Sequence, residues 1–334
     1  MTHLKRYTKE DLQKFTNPRV MELKFGEAVS LLKAGEELKD IPQKYVLVGI
    51  PEDVGVRANY GRAGAAGAWN ACLHSLCNMQ QSERTKAHDL IILGEIDCRL
   101  EMEAAAKMQG TSSEILESLG KLVTRIDVKV SEVIETIVSA GKTPIIIGGG
   151  HNNSYGNLKG TSRALGKPIN CLNFDVHSDF RPLEHRHSGN GFSYAKEEEY
   201  LGNYFIFGLQ AAFASQNQLD NLNDNKETVQ YSFFKNTNLF GNSQRQKELD
   251  RAEDFITKDS FGLEIDLDAI AMMGSSAMSP SGASVDECRE FVRYFSVFKN
   301  CKYIHLCEAA PNFELFPNQV GKTLGYFVLD VING

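Results

Sequence analysis

Asn173-Phe174-Asp175-Val176-His177-Ser178-Asp179-Phe180-Arg181 follows directly on the apolar run Ile169 to Phe174 and sets two carboxylates and an imidazole at alternate positions. Side chains two apart in a strand point to one face, so Asp175 and His177 converge. Asp179 cannot join them along a straight strand, because four extended residues would place it roughly 13 Å from Asp175. The chain must therefore curl after His177, and Pro182 fits a loop there. Charged and polar groups aimed together at the end of an apolar strand share a ligand, and oxygen and nitrogen donors of this kind suit a divalent cation.

Working outward, similar apolar runs recur at Tyr45–Ile50, Leu90–Leu93, Pro144–Ile147, Tyr204–Phe207, Phe261–Leu267 and Tyr303–Cys307, with a weaker one at Thr228–Phe233. Continuous apolar runs are expected of strands covered on both faces. Helical patterns lie between many of them: Gly64–Cys77, a long one over Thr111–Ala140, and one from Ser284 to about Lys299. Thr111-Ser112-Ser113-Glu114 and Ser284-Val285-Asp286-Glu287 read as capping boxes, and Gly141 as a left-handed helix end. Strands and helices alternating in this way predict an α/β fold, a mainly parallel sheet sandwiched between two helical layers. Residues 1–44 read as a polar, helical N-terminal extension, and 211–250 as polar surface helix and loop inserted in one piece. Neither a repeat nor a linker divides residues 1–334, so one domain is expected.

The bulk properties exclude several classes. With 36 Lys and Arg against 43 Asp and Glu the net charge is −7, which leaves no basic footprint for nucleic acid. No apolar run approaches the ~18 residues of a membrane span, and the first residues lack the apolar core of a signal peptide. Seven cysteines, an odd number with no CxxC pair, argue against a disulfide framework and for a reducing, cytoplasmic setting.

In open α/β sheets ligands bind beyond the carboxyl ends of the strands. Four such ends carry chemistry here: Gly148-Gly149-Gly150-His151, the opening stretch, Glu264-Ile265-Asp266-Leu267-Asp268, and Glu308-Ala309-Ala310-Pro311. The glycine triplet is not a P-loop, since no Gly-Lys-Ser/Thr follows. His151, Asp175, His177, Asp179, Asp266 and Asp268 are too many donors for one tetrahedral zinc. They suit two ions about 3.5–4 Å apart, and four carboxylates with two imidazoles favour Mn²⁺. Two cations acting on one water yield hydroxide near neutral pH, which makes the chain a hydrolase.

Gly-Gly-Gly-His, Asp-Val-His-Ser-Asp and Asp-Leu-Asp, in this order and at these separations, resemble the ureohydrolases: arginase, agmatinase and formimidoylglutamase. The resemblance runs from about residue 45 onward. It implies a three-layer α/β/α sandwich and two Mn²⁺ ions that activate a bridging hydroxide. It places His151, Asp175, Asp179 and Asp266 on one ion and Asp175, His177, Asp266 and Asp268 on the other. It marks Asp179 and Glu308 as catalytic, Glu308 orienting the cationic nitrogen end of the substrate, and it implies a homo-oligomer. Gly49 to Ala65, including Pro51-Glu52-Asp53-Val54-Gly55-Val56-Arg57-Ala58-Asn59-Tyr60-Gly61-Arg62, is similar to the formimidoylglutamase branch, as is the Asp-x-His-x-Asp-x-Arg ending at Arg181. The substrate implied is N-formimidoyl-L-glutamate, hydrolysed to L-glutamate and formamide in histidine degradation. Arg57, Arg62, Arg181 and Asn190 are candidates for gripping its carboxylates. The chain departs from the family pattern at Gly150, where many members have Asp, at Phe192, near an arginase proton-shuttling His, at Glu264, a usual Ser position, and at Ala271-Met272. His185 and His187 are candidate proton relays. The alternatives are an arginase- or agmatinase-type guanidino hydrolase releasing urea, and a non-catalytic metal-binding member of the family.

Overall fold

The computed structural model describes residues 2–33, 35–238 and 242–334. Among the described residues, nine strands form one sheet: β1 (Leu4–Arg6), β2 (Tyr45–Gly49), β3 (Leu90–Ile96), β4 (Thr143–Ile147), β5 (Ile169–Phe174), β6 (Leu201–Leu209), β7 (Val229–Phe233), β8 (Phe261–Asp266) and β9 (Cys301–Cys307). Their spatial order is β1-β3-β2-β4-β9-β8-β5-β6-β7. Every pairing is parallel except β1 with β3. The four strands whose ends carry the candidate donors, β4, β9, β8 and β5, are thus consecutive neighbours at the centre of the sheet.

Alternation along each strand divides the core into two layers. Leu47, Ile145, Ile147, Leu172, Leu263, Ile265, Ile304 and Leu306 face one side, where they meet Trp69, Phe291, Val292, Leu324 and Phe327. The helices Ala68–Leu76, Val285–Ser296 and Gln319–Ile332 supply that cover. Val46, Val48, Ile146, Cys171, Tyr204 and Tyr303 face the other side, against Val123, Ile126, Val130, Leu158 and Phe192. There the 27-residue helix Ser113–Ser139 lies along the helix Asn153–Leu165. Their backbones approach closely because residues 156 and 160 are glycines. A Cβ on Gly160 would lie 2.5 Å from the carbonyl oxygen of Ser131. Among the described residues, no helix is long and apolar enough to cross a membrane, and all seven cysteines are buried and free.

Three sequence expectations are corrected. Residues 1–44 are not a helical extension. Leu4–Arg6 pairs as an edge strand, and only the short helices Lys9–Gln13 and Phe25–Ala28 and a 3₁₀ turn at Leu38–Asp40 follow. The cause is tertiary: Tyr7 is buried, its hydroxyl donates to Glu95 and accepts from the Trp69 indole, and this seats β1 on β3. Residues 211–250 are not one inserted piece either: Gln216–Asp224 is a polar surface helix as read, but the strand read at Thr228–Phe233 is part of the sheet. They supply β7, which closes the other edge of the sheet, and most of the helix Asn242–Ile256, whose Ala252 and Ile256 enter the core; Leu239, Phe240 and Gly241 lie outside the described residues. Finally, the long helix begins after Ser112 with no side-chain cap, so the expected box at Thr111–Glu114 does not form. The box at Ser284 and Glu287 does.

Candidate metal centre

The glycines after β4 act through their backbone. Gly148 and Gly149 sit at φ of 85° and 74°, a region that favours glycine, and they turn the chain so that His151 faces inward. Fully buried Glu52 collars this loop. Its Oε1 accepts from the Gly150 amide and from the side-chain amides of Asn152 and Asn153, and its Oε2 from the Val54 amide. The His151 amide donates to Glu308 Oε1 at 2.7 Å.

Beyond β5 the chain curls as its spacing requires. Asp179 adopts a φ of 43°, rare for a residue with a side chain, and this swings its carboxylate back towards Asp175. Around His151 Nδ1 lie Asp179 Oδ2 at 2.9 Å, Asp266 Oδ2 at 3.2 Å and Asp175 Oδ2 at 3.3 Å. His151, Asp175, Asp179 and Asp266 form one group with donor atoms within 4.8 Å of one another. His177, Asp266 and Asp268 form a second. The groups meet at Asp266, and Asp175 Oδ1 lies 3.5 Å from His177 Nδ1. β8 ends at Asp266, a 3₁₀ turn follows, and Asp266 accepts from the Asp268 amide at 2.7 Å. Ser276 and the Ala277 amide donate to Asp268, and Asn173 donates to Asp175.

The electrostatics show what these side chains are suited to hold. Burial, then the neighbouring charges of Asp175 and Asp268, hold Asp266 well above the usual carboxylate range. Burial, followed by Asp175, also raises Asp179, and burial raises Asp268. Burial, then Asp268, pushes Glu308 up to about 8. Burial opposes ionisation of Asp175 too, but contacts with His151 and His177 hold it low. Four carboxylates cannot all ionise side by side in a buried site unless cations neutralise them. Two divalent ions carry the matching charge, and the oxygen and imidazole donors suit Mn²⁺.

The cluster floors a cavity of about 210 Å³ lined by His177, Asp179, Asp266, Asp268 and Glu308, with Asn59, Arg181, Ser188, Phe213 and Gln218 among the residues of its walls. Glu308 has a φ of 60° and lines the cavity, and its Oε2 is a buried oxygen with no hydrogen-bond partner. Of the four residues expected to hold substrate carboxylates, the structure brings only Arg181 to the wall. Arg57 is spent on the carbonyls of Ala105 and Met108, and Arg62 on those of Ser275 and Ser276. Asn190 is buried between Arg186 and the His187 amide, and donates to the His185 carbonyl. Nor do the proposed relays line the cavity. His187 pairs with Glu184, and His185 lies 3.0 Å from the Ala58 carbonyl. Phe192 packs edge-on against the His151 ring, 5.2 Å between centroids, and stacks on Tyr204. Sequence reasoning missed Asn59, whose Oδ1 accepts from Arg181, and Glu52. Both stand in the stretch Gly49–Ala65, but nothing local marks which of its polar residues turns inward.

The model of the family described as "Arginase family" matches residues 43–320. A formimidoylglutamase of Geobacillus thermodenitrificans is 28% identical over 298 residues, covering 85% of this chain and 83% of that protein. One from Rhodococcus jostii is 30% identical over 195 residues, 56% of this chain and 52% of its own length. Among solved structures, the formimidoylglutamase of Bacillus subtilis superposes with a TM-score of 0.75 at 19% identity, over 95% of this chain and 93% of that one. Trypanosoma cruzi formiminoglutamase, described as solved with Mn²⁺, gives 0.69 at 20% identity, over 93% and 97%.

Proposed function

This chain belongs to the arginase family, and from that premise we propose that it hydrolyses a C–N bond of a linear amidine, with N-formimidoyl-L-glutamate as substrate and L-glutamate and formamide as products. One observation carries the reading. Two donor groups joined at Asp266 floor a cavity lined by Glu308, whose Oε2 is left without a hydrogen-bond partner. The relatives named formimidoylglutamase support the choice of substrate.

His151, Asp175, Asp179 and Asp266 would hold one Mn²⁺, and Asp175, His177, Asp266 and Asp268 the other. When bound, such a pair supplies a water acidic enough to act as nucleophile near neutral pH. The chain's own residues do the rest. Glu308 Oε2 receives the cationic nitrogen end of the formimino group and sets its carbon over the cavity floor. Asp179, at the edge of that floor, is placed to take the proton the attacking water gives up. Arg181, steadied by Asn59, offers a guanidinium at the wall for a substrate carboxylate. Elemental analysis of the purified chain, with a panel of N-formimidoyl-L-glutamate, arginine and agmatine, tests this. Two Mn²⁺ per chain and glutamate release from the first substrate alone are expected. Urea release from arginine or agmatine would assign the guanidino chemistry instead.

A further inference from the structure

The His151 ring has a second side. Its Nδ1 faces Asp175, Asp179 and Asp266, so an ion ligated there leaves the ring hydrogen on Nε2. Nε2 is buried and has no hydrogen-bond partner. Facing it at 3.6 Å is Oε2 of Glu264, a fully buried carboxylate where the family pattern leads one to expect Ser. Glu264 is gripped from behind. His305 Nδ1 lies 2.5 Å from Oε2, and the Tyr303 hydroxyl donates to Oε1 at 2.8 Å. His305 Nε2 lies 3.1 Å from the Gly148 carbonyl, so both nitrogens of that ring face acceptors. Strand register builds the group. Glu264 pairs with His305 across β8 and β9, and Asp266 follows two residues on, pointing to the same face. The nearby Cys307 thiol spends its hydrogen on the Ile265 carbonyl, and its sulfur is a weak acceptor.

We propose that Glu264, backed by His305 and Tyr303, is a positioning residue for the metal centre: it accepts from His151 Nε2 and so fixes the tautomer that presents Nδ1 to the cation. A carboxylate behind a ligating imidazole orients the ring and raises its basicity. A shift of about half an ångström closes 3.6 Å to hydrogen-bond length. The inference rests on the metal reading above.

The test titrates metal-stripped chain with Mn²⁺ alone, following bound and free ion by EPR, with the melting midpoint of the metal-free protein measured beside it. Glu264→Gln is expected to weaken one of two Mn²⁺ sites about 10- to 100-fold while the other keeps its affinity. Should that variant not fold, Glu264→Asp carries the same expectation, because it draws the charge back by a methylene. A wild type that takes up no Mn²⁺ overturns the metal reading and this inference with it. A wild type with two ions, and a variant whose two sites are both intact or both weakened alike, overturns only the role of Glu264.

Discussion

Glu308→Gln separates substrate binding from metal binding within one side chain. Glu308 Oε1 accepts from the His151 amide, and a glutamine oxygen can do the same. Its backbone is pinned on both sides, the amide donating to the Gly149 carbonyl and the carbonyl accepting from the Ser276 amide, so the cavity wall should hold its shape. What is lost is the charge that the Glu308 carboxylate would carry once bound cations offset the burial and the Asp268 charge that raise it in the metal-free chain. A hydrogen bond to a charged partner contributes about 1.5–3 kcal/mol. At ~1.4 kcal/mol per tenfold, kcat/KM for N-formimidoyl-L-glutamate should fall about 10- to 150-fold. Glu308 belongs to neither donor group, so two Mn²⁺ per chain should remain. Steady-state kinetics paired with elemental analysis decides it. Metal loss would make Glu308 part of the cation cage, and an unchanged kcat/KM would remove it from substrate binding.

Asp175→Ala should lose at least one Mn²⁺ and nearly all turnover while keeping its circular dichroism spectrum; both ions and activity retained would refute the shared ligand. Metal-stripped protein should melt lower as pH rises from about 6.5 to 8.5. Glu308, at about 8, His177, raised to about 10, and His151, raised well above the usual imidazole range, all bind more protons folded than unfolded in that window, so stability falls with pH. Mn²⁺ binding requires the deprotonated donors, so the increment in melting temperature on adding Mn²⁺ should grow over the same range. A metal-free melting curve that is flat or rises with pH would contradict the uncompensated cluster. Arg57→Ala should cost stability, about 1–3 kcal/mol for two carbonyl bonds, and leave KM unchanged, whereas Arg181→Ala should raise KM. Denaturant unfolding and kinetics on both variants check the contrast.

The sheet and the inventory of donors could be read from the residues alone, because both are local. Apolar runs such as Ile169–Phe174 and Phe261–Leu267 become buried strands wherever they sit, and donors placed just past them are carried to the rim of a parallel sheet. That His151, Asp175, Asp179, Asp266 and Asp268 lie at strand ends is therefore a property of sequence. Which long side chains reach the cavity is not. Arg57 is taken by carbonyls of Ala105 and Met108, Asn190 by Arg186, and Asn59 is left to line the cavity. Leu4–Arg6 is a strand only because β3 has a free edge and the buried Tyr7 a partner in Glu95. Those outcomes depend on which distant donor or acceptor arrives first within hydrogen-bond range, a competition that only the packed chain settles.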